Sequence, residues 1–317
     1  WLANAWRDGF EQQYVPLHLE TRHRDLIRKT LPRVALIMPA NSEANTKEDA
    51  TALGQRLLDI ARYAIAPSGC RARLVVMFDT VTTKPGAHAA EANERGLVDW
   101  ANLQLRRQGL GHVQVELREY RNKPASRRSK PGSIMTFLDQ EAEEYDFIMV
   151  LDADSSFPQP DPNLPDTLDG IDRLVAAMLA HPELAMIQCG MRIEKYDTWL
   201  GWLQHVQARL AINYRGRLNG YLLQGEQPSY GHNVLFRRTD LHECYETGIP
   251  LRFLSHDFIE AAYLASNGRM CISTMDVATE EEPESTADTY LQRDQRWQRG
   301  NAQWAHFLFS YPGVALG

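Results

Sequence analysis

An apolar segment, Phe147-Ile148-Met149-Val150-Leu151, runs directly into Asp152-Ala153-Asp154. Where a strand ends, its backbone loosens, so both carboxylates can turn towards one divalent cation. Sites built from oxygen ligands suit Mg²⁺ or Mn²⁺, which commonly share their coordination with substrate phosphates. A solvated turn after a strand explains an isolated Asp-x-Asp equally well. The meaning of the two aspartates therefore depends on the rest of the chain.

Strand-like and helix-like segments alternate before this motif. The pattern predicts strands at 33–39, 74–78 and 113–117 and helices at 47–64, 89–107 and 134–144. Such alternation predicts an α/β fold with a mostly parallel sheet and helices on both faces. Ligands of these sheets bind at the carboxyl ends of the strands. Asp79, which follows the second strand, and the Asp152/Asp154 pair are therefore predicted to line one crevice.

The composition is that of an ordinary globular protein. The 317 residues are 44% hydrophobic and 24% charged, with a formal net charge of −7. That charge argues against a broad nucleic-acid-binding surface, so no nucleic-acid partner is expected. The four cysteines show no CxxC or zinc-ligand spacing and are predicted to be free thiols. No run of about 18 apolar residues and no secretory signal is found.

Both ends of the chain are rich in aromatic residues. The segments Trp1–Trp6 and Trp304–Pro312 suit the headgroup level of a membrane, although packing on a soluble core explains them at least as well. The sequence therefore predicts three parts. These are a juxtamembrane or packing segment at 1–30, one α/β domain at 31–301, and an aromatic interfacial segment at 302–317.

A dense basic run extends from Arg118 to Ser133 in this acidic chain. A solvated loop is the usual explanation of a run of charges. Here the run leads into Pro131-Gly132, interpreted as a turn, and then into a helix start. Such a combination suits an anionic phosphate, and anionic membrane headgroups are the other candidate partner.

The second half holds three polar clusters. Ser229-Tyr230-Gly231-His232-Asn233 precedes a predicted strand at 234–236, and Ser255-His256-Asp257 opens a predicted helix. Asp257 is either a helix N-cap residue, as Ser255 could be, or a carboxylate suited to take a proton from a hydroxyl group. In the third cluster, Arg293, Arg296 and Trp297 share one face of a predicted helix.

Taken in order, these motifs resemble those of the processive family 2 glycosyltransferases of the GT-A fold, which include cellulose synthase. Residues 230–233, 255–258 and 292–301 are most similar to the glucan biosynthesis glucosyltransferase H family. Members of that family are membrane enzymes that make the β-1,2-glucan backbone of osmoregulated periplasmic glucans. The resemblance covers about residues 34 to 301. It implies that 31–301 is a cytosolic GT-A catalytic domain at the cytoplasmic face of a bacterial inner membrane, attached through segments outside this chain.

The activity that the resemblance implies is inverting, metal-dependent transfer of glucose from UDP-glucose to a growing β-glucan. The implied catalytic base is Asp257, and the implied ligands of Mg²⁺ or Mn²⁺ are Asp152 and Asp154. The implied contacts of the nucleotide and donor sugar are Pro39, Glu43, Asp79, Lys130, Gly132, Asp152 and Arg296. The implied contacts of the glucan acceptor are His232, His256 and Trp297, whose indole offers a flat apolar face to a sugar ring.

Several positions depart from the cellulose synthase pattern. Arg293 stands at the Gln of Gln-x-x-Arg-Trp, Ser133 stands where Asn commonly follows Lys-x-Gly, and His256 replaces Glu before the base. Asn41 and Glu43 are also one residue out of the usual Pro-x-x-Asn-Glu register.

Other functions remain compatible with the sequence. These are another family 2 β-glucan or cellulose-type synthase, a catalytically silent nucleotide-sugar sensor, and a nucleotidyltransferase. The retained Asp152, Asp154 and Asp257 argue against the silent sensor. A nucleotidyltransferase has no need of Arg-Asp-Gln-Arg-Trp at 293–297.

Overall fold

The computed structural model contains two compact units, which meet in the chain between Ala176 and Ala177. We call them the N-terminal and C-terminal units. The residues that the structure describes are 21–40, 47–78, 87–120, 129–158, 170–193, 196–208, 210 and 229–315.

The N-terminal unit alternates strands and helices as the sequence predicts. Its helices are α1 (Thr21–Thr30), α2 (Lys47–Ile60), α3 (Ala87–Arg107), α4 (Lys130–Gln140) and α5 (Gly170–Ala180), the last crossing into the C-terminal unit. Its strands are β1 (Arg33–Ala40), β2 (Arg71–Phe78), β3 (Val115–Glu119), β4 (Phe147–Val150) and the short β5 (Ser155–Ser156). A π-helical turn, Ala61–Ile65, extends α2, and a 3₁₀ turn, Ala142–Glu144, follows α4.

Strands β1 to β4 form a parallel array in the order β3-β2-β1-β4. In β1 the side chains from Val34 to Met38 are all buried, although successive residues point to opposite faces of the sheet. Both faces of the sheet are therefore covered, which confirms the predicted parallel α/β arrangement.

Helices α2 and α3 pack closely at Gly54. A Cβ atom at Gly54 would lie 2.8 Å from Leu97 Cδ1 and 2.9 Å from the Trp100 ring. Only a residue without a side chain allows the helices to approach this closely.

The carboxyl ends of β1, β2 and β4 lie at the same edge of the sheet. Ala40 pairs with Phe78, and Ile37 pairs with Val150, two residues before Asp152. Pro39 is half-buried at this edge. The predicted nucleotide contacts Glu43 and Asp79, together with Asn41, lie outside the described residues.

Several predicted boundaries are wrong, among them the starts of the third strand and of the helix that follows it. The third strand begins at Val115, and the Asn102 side chain binds both the N–H and the C=O of Val115, each at 2.9 Å. The next helix begins at Lys130, so Pro131 and Gly132 lie in its first turn and form no separate turn. Ser129 is the N-cap residue, and proline is favoured at the start of a helix because its missing N–H is not needed there.

Among the described residues, the C-terminal unit contains three strands flanked by helices. Its strands are β6 (Leu184–Arg192), β7 (Val234–Arg237) and β8 (Met270–Glu281). Its helices are α6 (Trp199–Ala208), α7 (Arg238–Glu246), α8 (His256–Ser266), α9 (Ala287–Ser310) and α10 (Pro312–Ala315), with a 3₁₀ turn at Pro250–Arg252. Strand β6 pairs with β7 antiparallel and with β8 parallel. The strand predicted at 234–236 is therefore confirmed.

Helix α9 continues past residue 301, where the sequence suggests a new segment. Phe307 is fully buried and packs with Phe253 and Ile259, and the Trp304 and Tyr311 rings lie against this cluster. The interfacial role of residues 302–317 stays a prediction. Among the described residues, no helix combines the length and the apolar character needed to cross a bilayer. All four cysteines are described and are free thiols, as predicted.

Candidate active site

The Asp152-Ala153-Asp154 turn is fixed from two sides. Asp152 donates its N–H to Ser155 Oγ at 3.3 Å, and Ser155 donates its N–H to the Asp152 carbonyl at 3.1 Å. From α2, Arg56 Nη1 donates to the Ala153 carbonyl at 3.1 Å. These bonds hold the backbone, while the Asp152 side chain is half-buried and Asp154 is exposed.

Lys130, the first residue of α4, forms an ion pair with Asp152. The structure thus brings together two residues that the sequence assigned to the donor side. Gly132 lies in the same first turn, where it donates its N–H to Ser129 Oγ at 3.3 Å and accepts from Thr136 Oγ1 at 2.7 Å. The backbone of Gly132 therefore takes part in the start of the helix.

The aspartate pair offers carboxylate oxygens, the kind of ligand that Mg²⁺ and Mn²⁺ prefer. The structure's described portion holds no cluster of three or more His, Cys, Asp or Glu side chains suited to a metal. Two carboxylates leave coordination positions for water and phosphate oxygens, which is how Mg²⁺ is usually held. In the structure the Asp152 carboxylate is paired with Lys130.

The first residue of the basic run is bound by carboxylates. Arg118 lies in β3, where its guanidinium is 2.6 Å from Glu141 and 2.8 Å from Glu116. Arg118 is therefore paired with carboxylates of its own unit, and anion binding by the basic run stays a prediction. Residues 121–128 lie outside the described part of the chain.

Asp257 is the second residue of α8 and is half-buried. The N-cap position belongs to Ser255, so the alternative that Asp257 is the N-cap residue is wrong. The partial positive charge at a helix N-terminus favours a carboxylate there. A Cβ atom at Gly231 would lie 3.1 Å from Asp257 Cβ and 3.4 Å from its Oδ2. Gly231 thus lies in close contact with Asp257, although the two residues belong to different sequence motifs.

His256 belongs to a buried polar chain beside Asp257. Its Nδ1 forms a 2.8 Å hydrogen bond with Glu260 Oε1, and the Tyr245 hydroxyl donates to the same oxygen at 2.6 Å. Burial, reinforced by the Glu260 carboxylate, raises the pKa of Tyr245 well above its ordinary value, so the phenol stays protonated as a donor. The His256 side chain is only 7% exposed. The hydrogen bond with Glu260 helps to fix the start of α8, and the contact of His256 with an acceptor stays a prediction.

The loop that carries Gly231 is held by a buried amide. Gln188 in β6 accepts from the Tyr230 N–H at 2.8 Å and donates to the His232 carbonyl at 2.9 Å. At the end of β8, Glu281 Oε1 lies 2.6 Å from His232 Nδ1 and accepts from Asn233 Nδ2 at 2.9 Å. These bonds fix the predicted acceptor residue His232. They also fix the loop that brings Gly231 close to Asp257.

Helix α9 carries the remaining predicted residues. Arg296 and Trp297 are exposed, with 46% of Trp297 accessible. The Arg293 guanidinium carbon lies 5.0 Å from the centre of the Trp297 ring, so the predicted shared face of these two residues is confirmed.

Sequence patterns alone do not identify the residues that hold the predicted site residues in place. Glu260 could have been found, because a carboxylate four residues after His256 shares its helical face. Arg56 offers no such signal, since 97 residues separate it from Ala153. Gln188 and Glu281 are likewise distant in sequence from the loop that they hold.

Two bacterial glucosyltransferases are similar in sequence to this chain. Glucans biosynthesis glucosyltransferase H of Rhodopseudomonas palustris is 32% identical over 208 residues, which cover 60% of this chain and 26% of that protein. The protein of the same name from Shewanella baltica is 26% identical over 331 residues, covering 97% of this chain and 40% of its own length. The chain therefore spans well under half of the length of either relative.

The fold has a counterpart among solved structures. A mannosyltransferase from Pyrobaculum calidifontis, solved with GDP-Man and Mn²⁺, superposes with a TM-score of 0.53 over 94% of this chain and 76% of its own, at 16% identity. The predicted GT-A fold is confirmed by this likeness.

The family model described as glycosyl transferase family group 2 matches residues 147–316. The matched segment is more than half of the chain, begins with β4 and contains the Asp152/Asp154 turn, Asp257 and Trp297. This chain therefore belongs to the family 2 glycosyltransferases.

Proposed function

We propose that this chain transfers glucose from UDP-glucose to a growing β-glucan, with inversion at the anomeric carbon and with the help of Mg²⁺ or Mn²⁺. The observation that carries the proposal is Asp257, a half-buried carboxylate at the start of α8. Its side chain lies close to Gly231 and is adjacent to the His256–Glu260 pair. The names of the two bacterial relatives support a glucan as product, and the sequence resemblance favours the β-1,2-linked periplasmic backbone.

On the donor side, Asp152 and Asp154 would hold the cation. A bound divalent cation neutralises charge on the leaving diphosphate. Arg296, an exposed guanidinium on α9, would bind diphosphate oxygens, and Lys130 adds a second cation beside Asp152. Pro39, at the carboxyl end of β1, would contact the nucleotide, as would Glu43 and Asp79.

On the acceptor side, Asp257 would take the proton from the attacking hydroxyl group of the glucan. The hydroxyl oxygen then forms a bond to the anomeric carbon from the side opposite the leaving UDP. The bond from that carbon to the diphosphate breaks in the same displacement, so an α-linked donor yields a β-glucoside. Trp297 would stack on the acceptor sugar, and His232 would lie at the acceptor end of the site.

Incubation of the protein with radiolabelled UDP-glucose and Mg²⁺ tests this function. We expect a labelled glucan and free UDP. A nucleotide-linked product would favour a nucleotidyltransferase, and UDP-glucose binding without turnover would favour the silent sensor. A labelled glucan with linkages other than β-1,2 would favour another family 2 β-glucan synthase.

The cellular setting belongs to the same proposal. Attachment to the cytoplasmic face of a bacterial inner membrane, through segments outside this chain, rests on the sequence resemblance alone. Fractionation of cells that produce the protein would test it, with recovery in the membrane fraction as the expected result.

Replacing Gly231 with alanine is expected to lower turnover by about three- to tenfold while leaving UDP-glucose affinity unchanged. The new methyl group would lie 3.1 Å from Asp257 Cβ, so it would displace the base, and a base moved even slightly catalyses less well. Turnover and calorimetric UDP-glucose affinity are the measurements.

The matched control is Gly268→Ala. Gly268 has φ +70°, against φ +80° for Gly231, but no atom lies within 4 Å of the position its Cβ would take. Both substitutions impose the same backbone strain, roughly 1–2 kcal/mol. Equal turnover in the two variants would show that Gly231 does not position Asp257.

A further inference from the structure

Arg293 lies between two aromatic rings on the surface of α9. Its guanidinium carbon is 5.0 Å from the centre of the Trp297 ring and 5.5 Å from that of Tyr290. A planar guanidinium stacks on aromatic faces in a way that an ammonium or an amide cannot reproduce. One face of the Trp297 indole is thus covered by a cation, although 46% of the residue stays exposed.

A buried amide fixes Arg293 from the neighbouring helix. Gln204 in α6 is 1% exposed, and its Oε1 accepts from Arg293 Nη2 at 2.8 Å. The same oxygen accepts from the Glu284 N–H at 2.9 Å, while Gln204 Nε2 donates to the Glu284 carbonyl at 3.1 Å. Glu284 Oε1 in turn lies 3.3 Å from Arg293 Nη1. The guanidinium is therefore held by α6 and by the segment before α9, and not by its own helix alone.

This arrangement leaves one donor of Arg293 unsatisfied. Its Nε is buried and has no hydrogen-bond partner among the described residues. The guanidinium is thus held through its two Nη atoms and through its stacking on the rings.

We propose that Arg293 is a positioning residue that fixes the Trp297 indole, so that its open face can stack on a sugar ring of the glucan acceptor. The proposal rests on the proposed function. An indole held in one orientation loses little conformational entropy when a sugar binds, and this strengthens acceptor binding without touching the donor. It also gives a physical role to the arginine that replaces the Gln of Gln-x-x-Arg-Trp.

The test is a double-mutant cycle between Arg293→Lys and Trp297→Ala. The dissociation constant of a short β-1,2-linked glucan oligosaccharide is measured by NMR titration, and that of UDP-glucose by calorimetry. We expect Arg293→Lys to weaken oligosaccharide binding about five- to tenfold, within the range of a stacking cation. In the Trp297→Ala background the same substitution should change oligosaccharide binding by less than about twofold, because the indole that Arg293 would position is absent. UDP-glucose affinity should not change.

Arg299→Lys is the matched control, since Arg299 is an exposed arginine on the same helix. It should leave oligosaccharide affinity unchanged. Arg293→Gln is the second variant. Urea unfolding of each variant shows whether a change in oligosaccharide affinity is local or comes from a loss of overall stability. Weakening by Arg293→Lys of equal size in both backgrounds, or no weakening in either, would overturn the positioning role.

The two proposals fail in different ways. If the wild-type protein forms glucan but Arg293→Lys and Arg293→Gln bind the oligosaccharide normally, only the positioning role is overturned. If the wild-type protein neither transfers glucose nor binds the oligosaccharide, the proposed function falls and the role of Arg293 falls with it.

Discussion

Replacing Asp257 with asparagine is expected to lower the turnover of glucose transfer by roughly 10²–10⁴-fold, the usual effect of losing a general base. Asparagine has nearly the size of aspartate, so the contact with Gly231 and the start of α8 should persist. Its amide cannot take the proton of the acceptor hydroxyl. Because that proton is transferred only as the acceptor attacks, UDP-glucose affinity should stay within about twofold of the wild type.

The control for Asp257→Asn is Asp288→Asn. Asp288 is an exposed aspartate in the first turn of α9, so its replacement removes a similar helix-dipole interaction without touching the proposed base. Turnover by each variant is measured from labelled UDP-glucose, and donor affinity by calorimetry. Near-normal turnover of Asp257→Asn, or a loss of donor affinity as large as the loss of turnover, would refute the base assignment.

Replacing Asp154 with alanine is expected to weaken UDP binding in the presence of Mg²⁺ by tenfold or more, which corresponds to about 1.4 kcal/mol. Asp154 is exposed on a turn that Ser155 and Arg56 hold in place, so removal of its carboxylate should leave the backbone unchanged. The loss would then reflect one missing oxygen ligand of a cation shared with the diphosphate.

Chelation supplies the internal control for Asp154→Ala. With Mg²⁺ removed by EDTA, wild type and variant should bind UDP equally weakly, since the substitution acts only through the cation. Asp99→Ala removes an exposed carboxylate from α3 and should not alter UDP affinity in either condition. Unchanged UDP affinity of Asp154→Ala in Mg²⁺, or an equal loss with EDTA, would contradict the metal assignment.

The order of strands and helices in the N-terminal unit could be predicted because it is encoded locally. Apolar runs such as 34–38 are buried on both faces wherever they join a parallel sheet, and the helices between them carry their own periodicity. The positions of Asp152 and Asp154 followed from the same information, since they come directly after such a run. The apolar pattern alone predicts a later start for the helix that begins at 130, because the N-cap role of Ser129 depends on its hydrogen bond with the Gly132 N–H.

Only the tertiary structure determined which polar side chains meet. Lys130 pairs with Asp152 across 22 residues of sequence, and Gln204 holds Arg293 across 89. Gly231 meets Asp257 because β6 and β8 hold its loop over the start of α8.

The contacts of His256 also depend on the tertiary structure. In sequence it is a polar neighbour of the base, but Glu260 and Tyr245 draw its ring into a buried chain. Residue identity and spacing thus determined the fold and the types of group at the site. The partner of each charge depended on contacts between distant segments, because a buried polar group takes whatever partner the folded chain brings within hydrogen-bonding reach.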